Sequence, residues 1–207
     1  MEYPSTLVEN AVNELSRLPG VGKRSALRLA LYLIKQPNQT TENLCNALLR
    51  MRTDIKYCKI CYSLSDNDIC SICSQEKRNH NQICVVENIR DILAIENTNQ
   101  YKGVYHVLGG VISPIEGIGI GDLTISQLID RVNQNPIEEI ILALPTTMEG
   151  DTTGFYINKL LLVFDVKISA IARGIAIGDN IEFADEITLG RSILNRTPFN
   201  QVNYNND

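Results

Sequence analysis

Four cysteines spaced as Cys58-x2-Cys61-x8-Cys70-x2-Cys73 constrain this chain more than any other feature. They crowd into residues 57–80, a short polar stretch with too few apolar side chains for a core of its own, so it needs a staple. Each CxxC pair can grip one edge of a metal ion, and the loop between the pairs closes a tetrahedron. Four thiolates leave no open position, which describes one structural zinc ion per chain rather than a redox pair. The opening residues Met1-Glu2-Tyr3-Pro4 lack a basic region followed by an apolar run. No stretch approaches the roughly 18 apolar residues of a membrane span. The expected setting is therefore cytoplasmic and reducing, where cysteines serve metals before disulfides. Cys45 and Cys84 read as small buried hydrophobes.

Residues 1–56 read as helices. Val8, Ala11, Val12 and Leu15 form one apolar stripe, and Ala26, Leu29, Ala30 and Leu33 form a second. After a break at Pro37-Asn38, Leu44, Ala47, Leu48, Met51 and Ile55 form a third, with Thr40-Thr41 as expected N-caps. Between the first two helices lies Leu18-Pro19-Gly20-Val21-Gly22-Lys23-Arg24-Ser25-Ala26, a helix-hairpin-helix pattern in which Pro19 is expected to end the first helix. Gly20 and Gly22 permit a tight turn with close backbone approach. The next helix then begins with free N–H groups at the positive end of its dipole, suited to phosphate, and Lys23 and Arg24 add charge there. Such a site grips the nucleic-acid backbone and reads no sequence. The overall charge of −5 hides an asymmetry that fits. Residues 1–60 carry nine Lys/Arg against five Asp/Glu, while the remainder carries ten against nineteen.

Residues 81–176 alternate apolar runs with helical patterns. Strands are expected at 83–86, 104–108, 140–144 and 167–172, with helical periodicity over 125–132 and 155–163. That alternation implies an α/β fold, a parallel sheet with crossover helices, buried on both faces. Glu87 ends the first strand, and Glu149 and Asp151 follow the third. In a parallel sheet the strand C-termini gather on one edge, so these carboxylates are candidates for holding a divalent ion such as magnesium. Gly117-Ile118-Gly119-Ile120-Gly121 lacks a leading strand and has Asp122 where a dinucleotide fingerprint needs glycine. It reads as a turn before a helix capped by Thr124. His80 and His106 read as structural. Residues 177–207 read as a helix over 181–194 and a polar tail.

The order of these parts resembles the RecR family of recombination mediators. The resemblance rests on LPGVGKRSA, the C-x2-C-x8-C-x2-C finger, ICVVEN, AIE at 94–96, ISPIEGIGIGDL and EIILALPTTMEGDTT, and spans nearly the whole chain. It implies a Toprim domain for 81–176, with Glu87, Glu149 and Asp151 as its acidic residues. It further implies a homotetramer, partnership with RecO and RecF, and non-catalytic help in loading recombinase onto gapped DNA. Leu144 departs from the asparagine often found there in the family. The rival reading is a metal-dependent Toprim nuclease, since three carboxylates and magnesium are most of what such an enzyme requires. A topoisomerase would need a nucleophilic tyrosine on a further domain, and Tyr101, Tyr105 and Tyr156 read better as half-buried strand or helix residues.

Overall fold

The computed structural model describes residues 5–175, 178–196 and 198. Contacts divide the chain into two compact units, one ending at Lys56 and one beginning at Tyr57. In the first, α1 (Thr6–Leu15) and α2 (Lys23–Ile34) pack through buried Val12, Ala26 and Ala30, with Val8, Leu15, Val21 and Leu27 around them. The two alanines let the helix axes approach closely. α1 stops at Leu15, before Pro19, because the N–H groups of Arg17 and Leu18 bond to carbonyls three residues back and tighten the chain into a turn.

α3 (Asn38–Asp54) starts directly after Pro37. The fixed proline φ suits a helix entry, so Thr40 and Thr41 fall inside the first turn and do not cap. No residue of α3 is buried: Leu44, Leu48 and Met51 are 42%, 52% and 60% exposed. Cys45, expected inside, is exposed with them, because the stripe it borders has no partner among the described residues of this unit.

At the start of the second unit, β1 (Lys56–Tyr57), which straddles the boundary, and β2 (Leu64–Ser65) form a short ribbon at the cysteine segment. The main sheet has the order β4–β3–β5–β6, and every pair is parallel. Its strands are β3 (Asn79–Val86), β4 (Gly103–Val107), β5 (Glu139–Ala143) and β6 (Lys167–Ala170). The crossovers carry α4 (Ile89–Asn97), α5 (Ile125–Gln134) and α6 (Met148–Leu161). Side chains alternate along β3. Ile83 and Val85 pack with Leu128, Val132, Ile157 and Leu161 of α5 and α6. Cys84 and Val86 face the other way, toward Ile92 of α4 and toward Tyr62 and Ile72 of the cysteine segment. One helix does not cover that face, and the cysteine segment supplies the rest. The unit thus has the layered parallel architecture expected for a Toprim-like α/β fold.

α6 begins at Met148, earlier than its apolar period suggests, because the Thr147 hydroxyl accepts the Gly150 N–H and caps it. Thr124 occupies the N-cap position of α5 but does not cap it. Its hydroxyl donates to the Val107 carbonyl at 2.6 Å, tying the helix entry to β4. The single helix expected over 181–194 is broken. A 3-10 turn (Ile181–Phe183) precedes α7 (Glu186–Leu194), and Asp185 caps α7 by accepting the Thr188 N–H. The tail at 203–207 lies outside the described residues. Among the described residues no helix is long and apolar enough to cross a membrane.

His106 is fully buried in β4. Its Nε2 lies 2.9 Å from the Thr124 carbonyl, which can only accept, so the proton resides on Nε2. Nδ1 is buried without a partner. Protonation would place an unmatched N–H in the core, and burial lowers the pKa to about 4. The unfolded chain, titrating near 6.5, therefore binds more protons between those values, and stability falls as pH drops from about 6.5 to about 4, by up to about 3 kcal/mol. Urea unfolding of wild type and His106→Gln across that range should show a shallower pH slope in the variant. Equal slopes would contradict a neutral, buried imidazole.

Candidate nucleic-acid interface and metal centre

The four cysteines are 0–7% exposed, and their sulfur atoms all lie within 4.8 Å of one another. A tetrahedral zinc with bonds of about 2.3 Å sets its sulfurs about 3.8 Å apart, so the cluster has the size of that site. Backbone geometry builds it: the Cys58 N–H donates to the Ser63 carbonyl, and the Tyr62 N–H turns back to the Cys58 carbonyl. The Cys70 N–H donates to Cys58 Sγ at 3.3 Å and the Cys73 N–H to Cys70 Sγ at 3.4 Å, the bonds that thiolates accept. Without a cation these sulfurs titrate against one another. Hydrogen bonds from Cys61 and Cys73 hold Cys70 far below the usual thiol range, and the same contact with Cys70 pushes Cys61 up to about 12. A divalent ion held by the four sulfurs would take the place of the shared protons. Cys84 stands apart, its thiol pushed up to about 12 by burial. It is an inert core residue.

The cysteine segment is bonded to the sheet. The Cys61 carbonyl accepts the Val107 N–H at 2.8 Å. Arg131 of α5 donates to the Tyr105 carbonyl at 2.8 Å and reaches the Ile60 carbonyl at 3.4 Å. Arg131 carried no sequence signal, because it is an ordinary polar position on an amphipathic helix until the fold brings it beside the cysteines.

The hairpin is placed as its motif suggested. The Val21 N–H bonds to the Leu18 carbonyl at 3.0 Å, and Gly20 has φ +79°, which a side chain would strain. A Cβ at Gly22 would meet nothing within 4 Å. The openness there leaves the backbone accessible rather than packed. Gly22 is the N-cap of α2, no side chain caps this end, and its first turn holds Lys23 and Arg24 with no acidic residue. Cations at a helix N-terminus oppose the dipole, each at a cost of about a few tenths of a kcal/mol. An anion bound there reverses that penalty.

The acidic trio is less concentrated. Glu87 directly follows β3, and Glu149 and Asp151 sit in the first turn of α6, where their charge favours the dipole. Asp151 is held by two arginines, Arg173 at 2.7 Å and Arg191 at 3.5 Å. Among the described residues, only the four cysteines form a set of three or more His, Cys, Asp or Glu with ligand atoms within 4.8 Å. The carboxylates thus form no ready magnesium cage. Neither arginine left a signal in the local pattern, since both lie far along the chain. Tyr101 and Tyr105 are also engaged: Tyr101 donates to the Gln82 and Val104 carbonyls, and Tyr105 to Glu96, which ion-pairs with Arg78. Burial raises both phenols further above the physiological range.

Comparison with known proteins agrees with this layout. Residues 8–52 match the family model for the RecR helix-hairpin-helix, 55–75 that for the RecR four-cysteine zinc finger domain, 81–172 that for the Toprim domain and 174–197 that for the RecR C-terminal region. The chain is 60% identical over 203 residues to the recombination protein RecR of Parabacteroides distasonis, covering 98% of each. It is 59% identical over 206 residues to that of Flavobacterium johnsoniae, covering 100% of each. With that of Porphyromonas gingivalis the identity is 58% over 198 residues, covering 96% of each.

Proposed function

From the premise that this chain belongs to the RecR family, we propose that it is a DNA-repair and recombination mediator. It binds DNA regardless of sequence and acts with RecO and RecF to promote recombinase loading at gapped DNA. The observation that carries the reading is the entry of α2: an uncapped N-terminus, two cations and no carboxylate. That combination weakens the helix alone and is relieved by phosphate. The zinc is structural, one ion per chain, and its role is to hold residues 57–80 in place. The protein works in the cytoplasm as a homotetramer. The exposed apolar stripe of α3 supports self-association, since such a stripe is normally buried. The acidic residues Glu87, Glu149 and Asp151 serve a basic partner such as RecO rather than catalysis.

The test is binding by the double variant Lys23→Ala, Arg24→Ala. Affinity should drop similarly on unrelated sequences, and the slope of log K against log salt should flatten by about 2. Zinc content should stay unchanged. Wild-type affinity would place the DNA surface elsewhere.

The non-catalytic assignment is supported by the engagement of Asp151 with Arg173 and Arg191. Purified protein incubated with plasmid or gapped DNA and Mg²⁺ or Mn²⁺ should yield no nicking, relaxation or primer synthesis. Metal-dependent nicking that vanishes in Glu87→Ala would establish a nuclease instead.

A further inference from the structure

The face of α2 turned away from its buried alanines carries a second pattern, which shares only Arg24 with the hairpin. Arg24, Leu27, Arg28, Leu31, Tyr32 and Lys35 line a shallow groove. At about 100° per residue these six positions fall within an arc of roughly 140°, about opposite Ala26 and Ala30. Tyr32 is 57% exposed and Leu31 46%. Among the described residues no carboxylate forms an ion pair with Arg24, Arg28 or Lys35. The groove is cationic along its middle, with Leu27 and Leu31 on one side of the cations and Tyr32 on the other.

A duplex presents phosphate and sugar to a helix lying outside its grooves, and an aromatic ring among the cations would then meet no matching surface. A single strand offers both kinds of surface together. Its phosphates suit a row of arginine and lysine, and its unstacked bases suit an exposed ring beside that row. A protein partner carrying acidic and apolar residues is the alternative occupant. It is less well matched, because three cations with no ion-pair partner among the described residues continue directly from the phosphate-suited entry at Gly22 and Lys23, so one strand can follow both.

We infer that the exposed face of α2 is a single-strand DNA track, in which Arg24, Arg28 and Lys35 hold the backbone and Tyr32 stacks on a base. This inference rests on the hairpin being a DNA site and adds the strand type and the residue that selects it. Stacking on an aromatic side chain tolerates any base, so the track reads no sequence.

The experiment compares the full-length zinc-loaded protein with its Tyr32→Ala, Tyr32→Phe and Arg28→Ala/Lys35→Ala variants, using oligo-dT and a duplex of equal length. Tyr32→Ala should weaken oligo-dT binding about tenfold and leave duplex binding unchanged. Tyr32→Phe, which keeps the ring, should bind oligo-dT like wild type. Arg28→Ala/Lys35→Ala should weaken oligo-dT binding and flatten its salt dependence. Photocrosslinking of a halogenated-uracil oligonucleotide should map to Tyr32. Unchanged oligo-dT affinity in Tyr32→Ala, with affinity still lost in Lys23→Ala/Arg24→Ala, overturns the track and leaves the hairpin reading intact. Loss in neither would overturn the hairpin reading itself. Equal losses on both DNA forms in Tyr32→Ala would reject stacking. Retained DNA binding with altered self-association in that variant would assign the face to protein contact.

Discussion

Serine at Cys58 or Cys73, or exhaustive chelation, is expected to unfold residues 57–80 and to strip the protein of its one zinc per chain. Zinc binding by small four-ligand sites is worth on the order of 10 kcal/mol or more at neutral pH. The whole stability of a domain is about 5–15 kcal/mol. No apolar core replaces the metal, for the cysteines are themselves the buried cluster of that segment, with only Ile72 packed on them among the described residues. The damage should spread to the sheet, because Tyr62 and Ile72 help to cover the face shared with α4. Metal analysis with thermal unfolding of wild-type, Cys58→Ser and chelated protein measures this. Reduced, freshly purified protein that contains no zinc yet unfolds cooperatively at the same temperature would refute it.

The second large effect is expected at a glycine. A Cβ on Gly150 would lie 2.0 Å from the Pro145 carbonyl oxygen and 2.9 Å from its carbon. Those are backbone atoms, so no rotamer change can make room. The first turn of α6 must shift, which strains the Thr147 cap and moves Glu149 and Asp151. Gly150→Ala should cost more than about 3 kcal/mol, in the range typical of core overpacking combined with a lost cap. Gly154 supplies the control in the same helix. Its Cβ would meet only the side chains of Leu142 and Leu144, at 3.7 and 3.9 Å. There alanine should be neutral or mildly stabilising, by up to about 1 kcal/mol. Urea titration of the two variants distinguishes them. A Gly150→Ala protein as stable as wild type would mean that the helix does not approach Pro145 so closely.

Gly150 also shows where the sequence stops being legible. A glycine in a helical stretch signals a cost but not its cause, and the cause here is a carbonyl five residues upstream. The strands were readable because a sheet covered on both faces demands unbroken apolar runs, as at Ile83–Val86 and Ile140–Ala143. The finger was readable because metal geometry restricts ligand spacing. α3 misled in one respect: its period correctly gave a helix, but periodicity does not say whether the stripe finds a partner within its own unit, and among the described residues Leu44, Leu48 and Met51 stay exposed. Thr124, read as a cap, misled for a related reason. A threonine can cap a helix or bind elsewhere, and only the surrounding fold decides which N–H or carbonyl comes within reach. The pairing of Asp151 with Arg173 and Arg191 depends on long-range packing and left no local trace.

The bonds between the finger and β4 have a further consequence for solubility. β4 is an outer strand of the sheet, and its far side would ordinarily present free amides and carbonyls to any passing extended chain. Two of those groups are already occupied: the Val107 N–H by Cys61 and the Tyr105 carbonyl by Arg131. The cysteine segment and Arg131 thus cover part of the sheet margin against strand addition by another molecule. Metal-depleted protein should accordingly scatter light and accumulate intermolecular β-structure on warming, with an onset that falls as zinc occupancy falls.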